Sequence, residues 1–391
     1  MAIPLAYPVR SLLVRKWTSV FTAGGVALVV TATLLLLSLV GGLRKMLASS
    51  GQPDNVVVLR KGSTNDGVSQ VPRDAALALR TMPGVARGAD GEPLASPELV
   101  NQPFMITRSG GREIVLIRGV EPVALGVHRA VRLVQGRLFR PHVGEVVVGV
   151  GVRGRYVGAD LGGEIEFGRR RWTVVGVFDS GGRAFDSEIW ADVTDVQDDT
   201  RRSGYSGVRL TTDPGTDFAT LKRRIEDDGR FTLEAKPETD YYREQADTTQ
   251  TLYILVLTLA VIMGTGAVFG ALNTMYAAVA SRTAEIGTLR ALGFPRGAIL
   301  RSFLGESLLL AGAGFVAGTA LAALAVLAVN TLLSGVQFSM MTFSVATVLL
   351  HLTPGAVIAG MAIAGLIGLI GGLAPAWRAA RLRVVDALHR A

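Results

Sequence analysis

The run TSVFTAGGVALVVTATLLLLSLVGGL, residues 18–43, contains no Asp, Glu, Lys or Arg over 26 positions. A membrane-spanning α-helix needs about 20 apolar residues, and a buried helix of a globular core is rarely uncharged for so long. The apolar part of a secretory signal peptide covers only about 7–15 residues. We therefore interpret this run as a retained membrane span and expect no cleavage after it.

Two further uncharged runs cover 251–281 and 307–377, and the second of these is interrupted by a more polar stretch over 330–354. Together the runs predict four spans, at about 19–42, 252–278, 307–329 and 355–375. The run 251–281 would reach about 46 Å as a helix, against a hydrocarbon core of about 30 Å. We expect this second span to tilt or to project beyond the bilayer.

The composition of the whole chain agrees with a membrane protein. Of 391 residues, 49% are hydrophobic and only 18% are charged, whereas a soluble domain has about 25% charged residues. Such an apolar chain is not intrinsically disordered. The absence of cysteine from the sequence excludes a disulfide framework and thiolate metal sites.

The positive charge lies beside the predicted spans. The formal net charge is +8 and the pI is about 10.1, values that would suggest a nucleic-acid partner if the charge formed one patch. Instead, segments 1–18, 280–301 and 376–391 each carry a net charge of +3, Glu306 subtracts one, and 44–250 is neutral. The positive-inside rule then places both termini and the 280–301 loop in the cytoplasm. We expect no nucleic-acid partner, and a fifth span through 338–350 would contradict this topology.

The predicted fold class is a multi-pass α-helical membrane protein with four transmembrane helices and a large α+β extracytoplasmic domain between the first and second. We divide the chain into 1–44 (a cytoplasmic N-terminal helix and the first span), 45–248 (the extracytoplasmic domain) and 249–391 (three spans, a short cytoplasmic helix over 281–294 and a basic tail). Alternation and turn signals predict strands at 56–59, 113–117, 145–148, 164–167 and 172–177. They also predict helices at 72–82, 218–227 and 238–246.

Motifs of enzymes and cofactors are weak in the extracytoplasmic segment. Gly149, Gly151 and Gly154 form a G-x-G-x-x-G, but no repeat of a parallel βαβ unit follows, so we favour a glycine-rich turn from strand to helix over a nucleotide site. The four histidines lack metal-ligand spacing; they are His128, His142, His351 and His389. No lysine follows a glycine, so the sequence has no Walker A loop, and we expect no catalytic activity and no cofactor or metal in this chain.

One group of acids in this segment could act as a catalytic pair. Asp179, Asp186 and Glu188 flank a Gly-rich loop, and closely spaced carboxylates can serve in general acid–base chemistry. Charges on such a loop are more commonly solvated, and we favour that interpretation here.

The cytoplasmic loop predicts a short amphipathic helix. Ile286, Leu289 and Leu292 recur at helical spacing, and Gly293 with Pro295 ends the helix. Such a helix could lie on the lipid surface, with Arg282 and Glu285 as an i,i+3 pair. It could equally dock on a partner protein.

The residues 282–294, R-x-x-E-I-G-x-L-R-A-L-G-F, preceded by A-L-N-T-M at 271–275 and followed by Glu306, resemble the coupling segment of FtsX-like permeases. These are membrane subunits of the macrolide-exporter and lipoprotein-release group of ABC transporters. The C-terminal 374–388 resembles the closing motif of that family, and 10–16 resembles its first helix. The resemblance covers 238–391 and 8–44, and the large domain matches only in outline.

The resemblance implies a half-transporter that pairs with a second permease, identical or paralogous, and with two copies of a cytoplasmic ABC ATPase that holds the ATP and Mg²⁺. The residues that it implies for the ATPase contact are Arg282, Glu285, Ile286, Leu289, Arg290, Leu292 and Gly293. Arg378 and Arg381 are expected to make a second cytoplasmic contact or to bind anionic lipid headgroups. A periplasmic adaptor or acceptor protein is a further candidate partner.

Small and polar residues inside the spans predict packing and one ionic interaction. Three G-x-x-x-G pairs permit close helix approach; they are Gly266 with Gly270, Gly314 with Gly318, and Gly368 with Gly372. We expect the first two spans to form the dimer seam. Glu306 is an intramembrane acid, a type of residue that often marks function, but Arg301 is five positions away and a structural role is favoured.

The family resemblance implies a mechanical mechanism at a bacterial inner membrane. ATP-driven motion of the coupling helices would move the extracytoplasmic domains, which would export or extract an amphiphile, lipid or lipoprotein. The alternative is a signalling complex in which the same motion activates an extracytoplasmic cell-wall hydrolase. An ion-coupled carrier that uses Glu306 is less favoured, because there is one such acid and no inverted-repeat pattern.

Overall fold

The computed structural model describes residues 16–247, 250–332, 336–340 and 343–382. They form two compact units, which we describe separately. The membrane unit comprises 1–42, 250–334 and 349–391, and the large domain comprises 43–249 and 335–348. The predicted N-terminal helix with Arg10 and Arg15, and the tail after Leu382, lie outside the described residues.

Ten α-helices are found among the described residues. They are α1 (Lys16–Ala48), α2 (Arg73–Arg80), α3 (Ala124–Val127), α4 (Val193–Thr200), α5 (Phe218–Glu226), α6 (Glu238–Asp247), α7 (Gln250–Ser281), α8 (Thr283–Ala291), α9 (Arg296–Leu332) and α10 (Pro354–Arg381). A 3₁₀ turn covers Ala184–Ser187.

The described residues also contain fourteen strands. They are β1 (Asn55–Arg60), β2 (Ala95–Asn101), β3 (Phe104–Ile106), β4 (Arg112–Ile114), β5 (Leu116–Val120), β6 (Arg132–Gly136), β7 (Glu145–Gly149), β8 (Glu164–Phe167), β9 (Arg170–Asp179), β10 (Glu188–Asp192), β11 (Gly207–Thr211), β12 (Leu233–Pro237), β13 (Val336–Met340) and β14 (Phe343–Val348).

Four helices of the described chain are long and apolar enough to cross a membrane, as predicted. They are α1, α9, α10 and the helical segment that contains α7. Each of the four extends beyond the span predicted from its uncharged run, because the helical backbone continues into flanking polar residues. In the described residues of 338–350, β13 and β14 form an antiparallel hairpin rather than a fifth span. This hairpin groups with the large domain, whereas the sequence division had assigned it to the C-terminal segment.

The membrane unit is held together by glycine contacts within one chain. A Cβ on Gly314 would lie 2.7 Å from the Ala23 carbonyl oxygen, and a Cβ on Gly318 would lie 2.6 Å from the Ala27 carbonyl oxygen. Both glycines therefore let α9 approach α1 closely. As a result, 61% of the apolar stretch of α1 is buried inside its own chain.

The other two glycine pairs differ from each other. Gly368 and Gly372 of α10 face α9, where a Cβ would meet Ala311 and Ser307. Gly266 and Gly270 of α7 have no atom within 4 Å of a Cβ position among the described residues. The prediction that the first two spans form a dimer seam stays a prediction.

Gly314→Ala and Gly318→Ala should destabilise the isolated subunit by about 1–3 kcal/mol each, the usual cost of overpacking a close contact. The thermal unfolding midpoint in detergent measures this effect. Gly266→Ala is the matched control, because its added methyl group meets open space and should leave the midpoint unchanged. Equal effects at Gly314 and Gly266 would contradict the packing described here.

The large domain is built on a ten-stranded sheet with the order β12-β1-β11-β2-β5-β10-β7-β9-β6, with β8 paired to β9. Most neighbours are antiparallel, but β5–β10 and β7–β9 are parallel. The apolar core contains Trp172, Ile189 and Val208, all fully buried. Together with its helices, the sheet forms the α+β domain that the sequence predicted.

Two local predictions in this domain are wrong. The strand predicted over 113–117 is divided at Val115, because the chain leaves the small β3–β4 sheet there and β5 joins the large sheet. The turn predicted to lead from strand to helix at Gly149 leads only into further turns. A Cβ at Gly149 would meet the Asp186 backbone, so the glycine serves a close backbone approach.

Candidate functional site

The short helix α8 lies between α7 and α9, where the sequence predicted a short helix. Its end is fixed by Gly293, which adopts a φ of +90° that side chains with a Cβ rarely take. The Gly293 N–H donates to the Arg290 carbonyl (3.1 Å) and the Phe294 N–H donates to the Leu289 carbonyl (3.2 Å). These bonds satisfy carbonyls that the helix end would leave open.

Arg282, immediately before α8, connects this helix to α9. Its Nη1 donates to Glu306 Oε2 at 3.0 Å, and its Nε donates to Glu285 Oε2 at 3.1 Å. The guanidinium also lies over the Phe303 ring, 5.2 Å from the centroid. Arg282 is 8% exposed and Glu306 is 4% exposed. Because a buried charge without a partner is costly, this pair fixes the position of α8 against α9.

A small apolar cluster adds to this attachment. Ile286 of α8 is buried against Met275 of α7, Phe303 of α9 and Ala379 of α10. The helix is therefore packed against all three helices that surround it.

The predicted ATPase-contact residues are divided between two faces of α8. Arg282 and Ile286 face inward and are buried in the packing of this chain. Glu285, Leu292 and Gly293 are exposed, Leu292 at 67%. Leu289 and Arg290 are half-buried. The outward set forms the surface that is available to a partner, and the inward pair attaches that surface to the membrane helices.

The acid Glu306 pairs with Arg282 rather than with Arg301, which the sequence had suggested as its neighbour. Arg301 is exposed, and its Nε donates to the Gly297 carbonyl at 3.1 Å. The Arg282 partner lies 24 positions away in the sequence. Only the return of the chain through α8 into α9 brings the two side chains together.

Arg378 and Arg381 are exposed near the end of α10 and lie beside aromatic rings. Arg378 lies 5.8 Å from the centroid of Tyr276, and Arg381 lies 4.6 Å from that of Trp377. Aromatic and basic side chains are enriched together at membrane interfaces. Both predicted roles, partner contact and headgroup binding, stay open for this pair.

The large domain contains a second charged site, which sequence reasoning missed. Seven buried side chains form it, and we call it the charge cluster: Asp66, Glu98, Arg118, His128, Glu188, Arg209 and Glu238. Glu98, Arg118, Glu188 and Arg209 come from adjacent strands of the large sheet. A possible signal was a single arginine between apolar residues in each of β5 and β11.

The two arginines bridge the carboxylates of the charge cluster. Arg118 donates to Glu98 Oε2 (2.9 Å), to Asp66 Oδ2 (3.2 Å) and, through two nitrogens, to Glu188 (2.6 and 2.7 Å). Arg209 donates to Glu98 and to Asp66 (3.0 Å), and its Nε lies 3.3 Å from Glu238 Oε1. Bidentate pairing of this kind satisfies both charge and geometry.

The arginines also determine how the carboxylates titrate. Burial by itself would raise the pKa of Glu98, but Arg209, His128 and Arg118 together hold the pKa far below its ordinary value. Burial opposes Arg118 and Arg209 at Asp66 too, and the pKa of Asp66 is again lowered. Both carboxylates are therefore charged in the folded domain at neutral pH.

The charge cluster contacts the segment that follows α1 and includes the first residue of α6, the helix that precedes α7. Glu238 is the first residue of α6, which ends three positions before α7 begins. Its Oε2 accepts from the Gln52 N–H and from Asn55 Nδ2, both at 3.0 Å. Gln52 follows the end of α1 by four positions. The incoming and outgoing segments thus meet at one buried carboxylate.

The incoming segment has further contacts inside the large domain. Arg183 Nε donates to the Ser49 carbonyl at 2.7 Å, and the Ala184 N–H donates to Ser50 Oγ at 3.0 Å. A Cβ on Gly51 would lie 2.8 Å from the Glu238 carbonyl oxygen, so no side chain fits there. These contacts attach the first residues after α1 to the domain.

The interpretation of Asp186 and Glu188 as solvated loop charges is wrong. Asp186 accepts from the Ser180 hydroxyl and the Gly182 N–H, both at 2.7 Å, and its burial raises the pKa of the carboxyl. Glu188 is buried in the charge cluster. Asp179 accepts from the Gly181 N–H. All three carboxylates have structural partners. Among the described residues, no group of three His, Asp or Glu side chains is arranged to hold a metal ion.

A family model of the MacB-like periplasmic core domain matches residues 19–228, more than half of the chain. The chain belongs to the MacB-like permease family. A second family model, the FtsX-like permease C-terminal domain, matches residues 257–384 of this MacB-like permease. The large domain is accordingly periplasmic and lies between the first and second of four membrane helices, as predicted. The family comprises ABC transporter permeases.

Curated relatives of this permease include the macrolide export ATP-binding/permease protein MacB of Bradyrhizobium diazoefficiens. It is 37% identical over 151 residues, which cover 39% of this chain and 21% of that protein. The MacB protein of Neisseria meningitidis serogroup A is 28% identical over 281 residues, which cover 66% of this chain and 41% of that protein. The MacB-like permease therefore aligns with less than half of the length of either relative.

The large domain is similar to a solved periplasmic region of MacB from Actinobacillus actinomycetemcomitans. The match covers 51% of this chain and 95% of the solved one. The TM-score is 0.40 and the sequence identity is 12%. The family membership rests on the sequence match and not on this likeness in shape.

Proposed function

We propose that this permease is the membrane subunit of an inner-membrane ABC transporter that moves an amphiphile, lipid or lipoprotein by mechanical transmission. Two copies of a separate cytoplasmic ATPase would bind ATP and Mg²⁺ and dock on the exposed face of α8. A second permease, identical or paralogous, would complete the transporter. The positive-inside distribution supports cytoplasmic termini.

The attachment of α8 to its neighbours is the observation that carries this proposal. The Arg282–Glu306 pair and the buried Ile286 connect an exposed helix surface to α7, α9 and α10. A partner that moved α8 would therefore move the membrane helices with it. This mechanism requires no pore through the four membrane helices.

The charge cluster supports the second half of the mechanism. Chain connectivity would carry motion of α7 through two intervening residues to α6, whose first residue is Glu238. Because Glu238 also accepts hydrogen bonds from the segment that follows α1, motion of either helix would act on the centre of the same sheet. A cluster held by several buried ion pairs would transmit that force rather than absorb it.

Leu292→Asp should uncouple ATP hydrolysis from the permease while leaving the subunit folded, because Leu292 is exposed and contributes to the outward face of α8. Burying a charge in a docking interface costs several kcal/mol, so stimulation of the partner ATPase by the permease should fall by at least about tenfold. ATPase activity in proteoliposomes, with and without the permease, measures this.

Leu77→Asp in α2 is the matched control, since it places the same charge at an exposed leucine of the large domain. It should leave stimulation unchanged. Glu285→Lys reverses a charge on the same exposed face of α8 and should act like Leu292→Asp. Full stimulation by both α8 variants would remove the proposed ATPase contact.

A further inference from the structure

The large domain contains an open pocket of about 580 Å³ that is rich in arginine. It lies where the β3–β4 hairpin meets the turn between β8 and β9. Its lining combines four arginines with one acid and two phenylalanines among the described residues: Phe104, Arg112, Glu166, Phe167 and Arg169–Arg171 together with Gly168. A pocket of this size suits a small ligand rather than a protein surface.

The turn that presents the arginines is fixed by its backbone. Gly168 has a φ of +64°, and a Cβ at this position would overlap the Asp199 carboxylate. The Arg169 N–H donates to Asp199 Oδ1 at 2.8 Å. The three consecutive arginines are therefore held in place against the end of α4 rather than displayed on a free loop.

Two of the four arginines are already neutralised by carboxylates. Arg170 Nη1 donates to Asp195 Oδ1 at 2.7 Å, and Arg171 Nε donates to Glu166 Oε1 at 2.7 Å. These pairs leave little charge for a ligand. They define the wall of the pocket.

The other two arginines have no carboxylate within ion-pair distance in the described part of the chain. The Arg169 guanidinium donates to the carbonyl oxygens of Asp198 (2.7 Å) and Asp199 (3.2 Å). Arg112 lies over the Phe104 ring, 5.7 Å from its centroid. Both side chains are exposed at the pocket. Two uncompensated guanidiniums in one pocket suit a ligand with several anionic oxygens.

An apolar surface adjoins this charge. Phe104 and Ile106 are each 58% exposed. Ile106 is the cross-strand neighbour of Arg112 in the β3–β4 hairpin, so the apolar and basic side chains share one face. An exposed apolar pair beside a basic pocket matches a ligand with an anionic head and an apolar body.

We propose that this pocket binds an amphiphile with a net-anionic phosphate headgroup, with the phosphate on Arg112 and Arg169 and the apolar part on Phe104 and Ile106. The proposal rests on the proposed transport of amphiphiles, and it names their headgroup chemistry. Arginine forks bind phosphate oxygens in pairs.

The test uses the full-length permease in nanodiscs, without its ATPase. Titration with dihexanoyl phosphatidic acid should give saturable binding, and dihexanoyl phosphatidylcholine and inorganic phosphate should each bind at least about tenfold more weakly. Empty nanodiscs provide the baseline.

The double variant R112Q/R169Q should weaken phosphatidic acid binding by at least about tenfold, since it removes two charge-assisted contacts. Phe104→Ser should weaken binding of the lipid but not of inorganic phosphate. Arg230→Gln removes an exposed arginine elsewhere in the domain and serves as the control, with binding unchanged.

Unchanged binding in R112Q/R169Q would overturn the proposal. Equal affinities for phosphatidic acid and inorganic phosphate would indicate a simple anion site, and tighter binding of an acidic peptide would indicate a protein-docking surface; either result also overturns it. Because no ATPase is present, such a failure leaves the coupling test on Leu292 unaffected. Full stimulation in that test would in turn leave this binding result intact.

Discussion

Arg282→Met is expected to destabilise the permease by about 3–5 kcal/mol, because it leaves Glu306 buried without its cationic partner. The same variant should abolish stimulation of the partner ATPase, since α8 would lose its ionic attachment to α9. Thermal unfolding in detergent measures the first effect, and ATPase activity in proteoliposomes measures the second.

The double variant Arg282→Met/Glu306→Met separates the two effects. It removes both charges together, so most of the lost stability should return. Because the ion pair also positions α8, stimulation of the partner ATPase should stay low in the double variant even though its stability has returned. Glu285→Gln removes only the exposed carboxylate that pairs with Arg282, and it should change the unfolding midpoint little. A single variant Arg282→Met as stable as the parent would contradict the role assigned to this pair.

Arg209→Met should destabilise the large domain by about 3–5 kcal/mol, since Glu98, Asp66 and Glu238 all lose a buried partner. The periplasmic domain should unfold at a lower temperature while the membrane helices keep their helical signal. Thermal unfolding recorded by circular dichroism, with the strand and helix contributions separated, measures this. Arg230→Met, which removes an exposed arginine paired only with Asp228, is the control and should leave the midpoint unchanged.

The pH dependence of unfolding gives an independent check on the same cluster. The folded-state pKa values of Glu98 and Asp66 are lowered, so their contribution to stability is present above the unfolded-state pKa of about 4 and is lost as the pH falls below it. The parent protein should therefore lose stability below about pH 4. In Arg209→Met the carboxylates are easier to protonate, so the gap between variant and parent should narrow on acidification. A gap that widened at low pH would contradict this account.

Periodicity and charge were sufficient to predict the membrane architecture because they are local properties. The uncharged runs required helices long enough to span a bilayer, and Gly293 with Pro295 ended α8 because one backbone conformation and one missing N–H prevent its continuation. Alternation likewise located β1, β7 and β8 within a residue or two. It failed at Val115, where an unbroken apolar run conceals the passage from one sheet to another.

The partners of charged residues could not be predicted in this way. Arg282 finds Glu306 24 positions away, and Arg209 finds Asp66 143 positions away. A sequence window shows neither pairing, because the order of strands and the return of helices decide which buried charges meet. Even Glu188, considered as a loop acid, is paired because β10 lies beside β5.

The sequence by itself determined that this protein has four membrane spans, a neutral periplasmic domain and a short helix between the second and third spans. These features follow from the free energy of burying apolar segments and from local backbone preferences, which each segment carries with it. Only the tertiary structure decided that α8 is fastened by Arg282 and that Glu238 joins both segments to the sheet. A buried charge is stable only where the fold supplies its partner, so its role is a property of the whole packed chain.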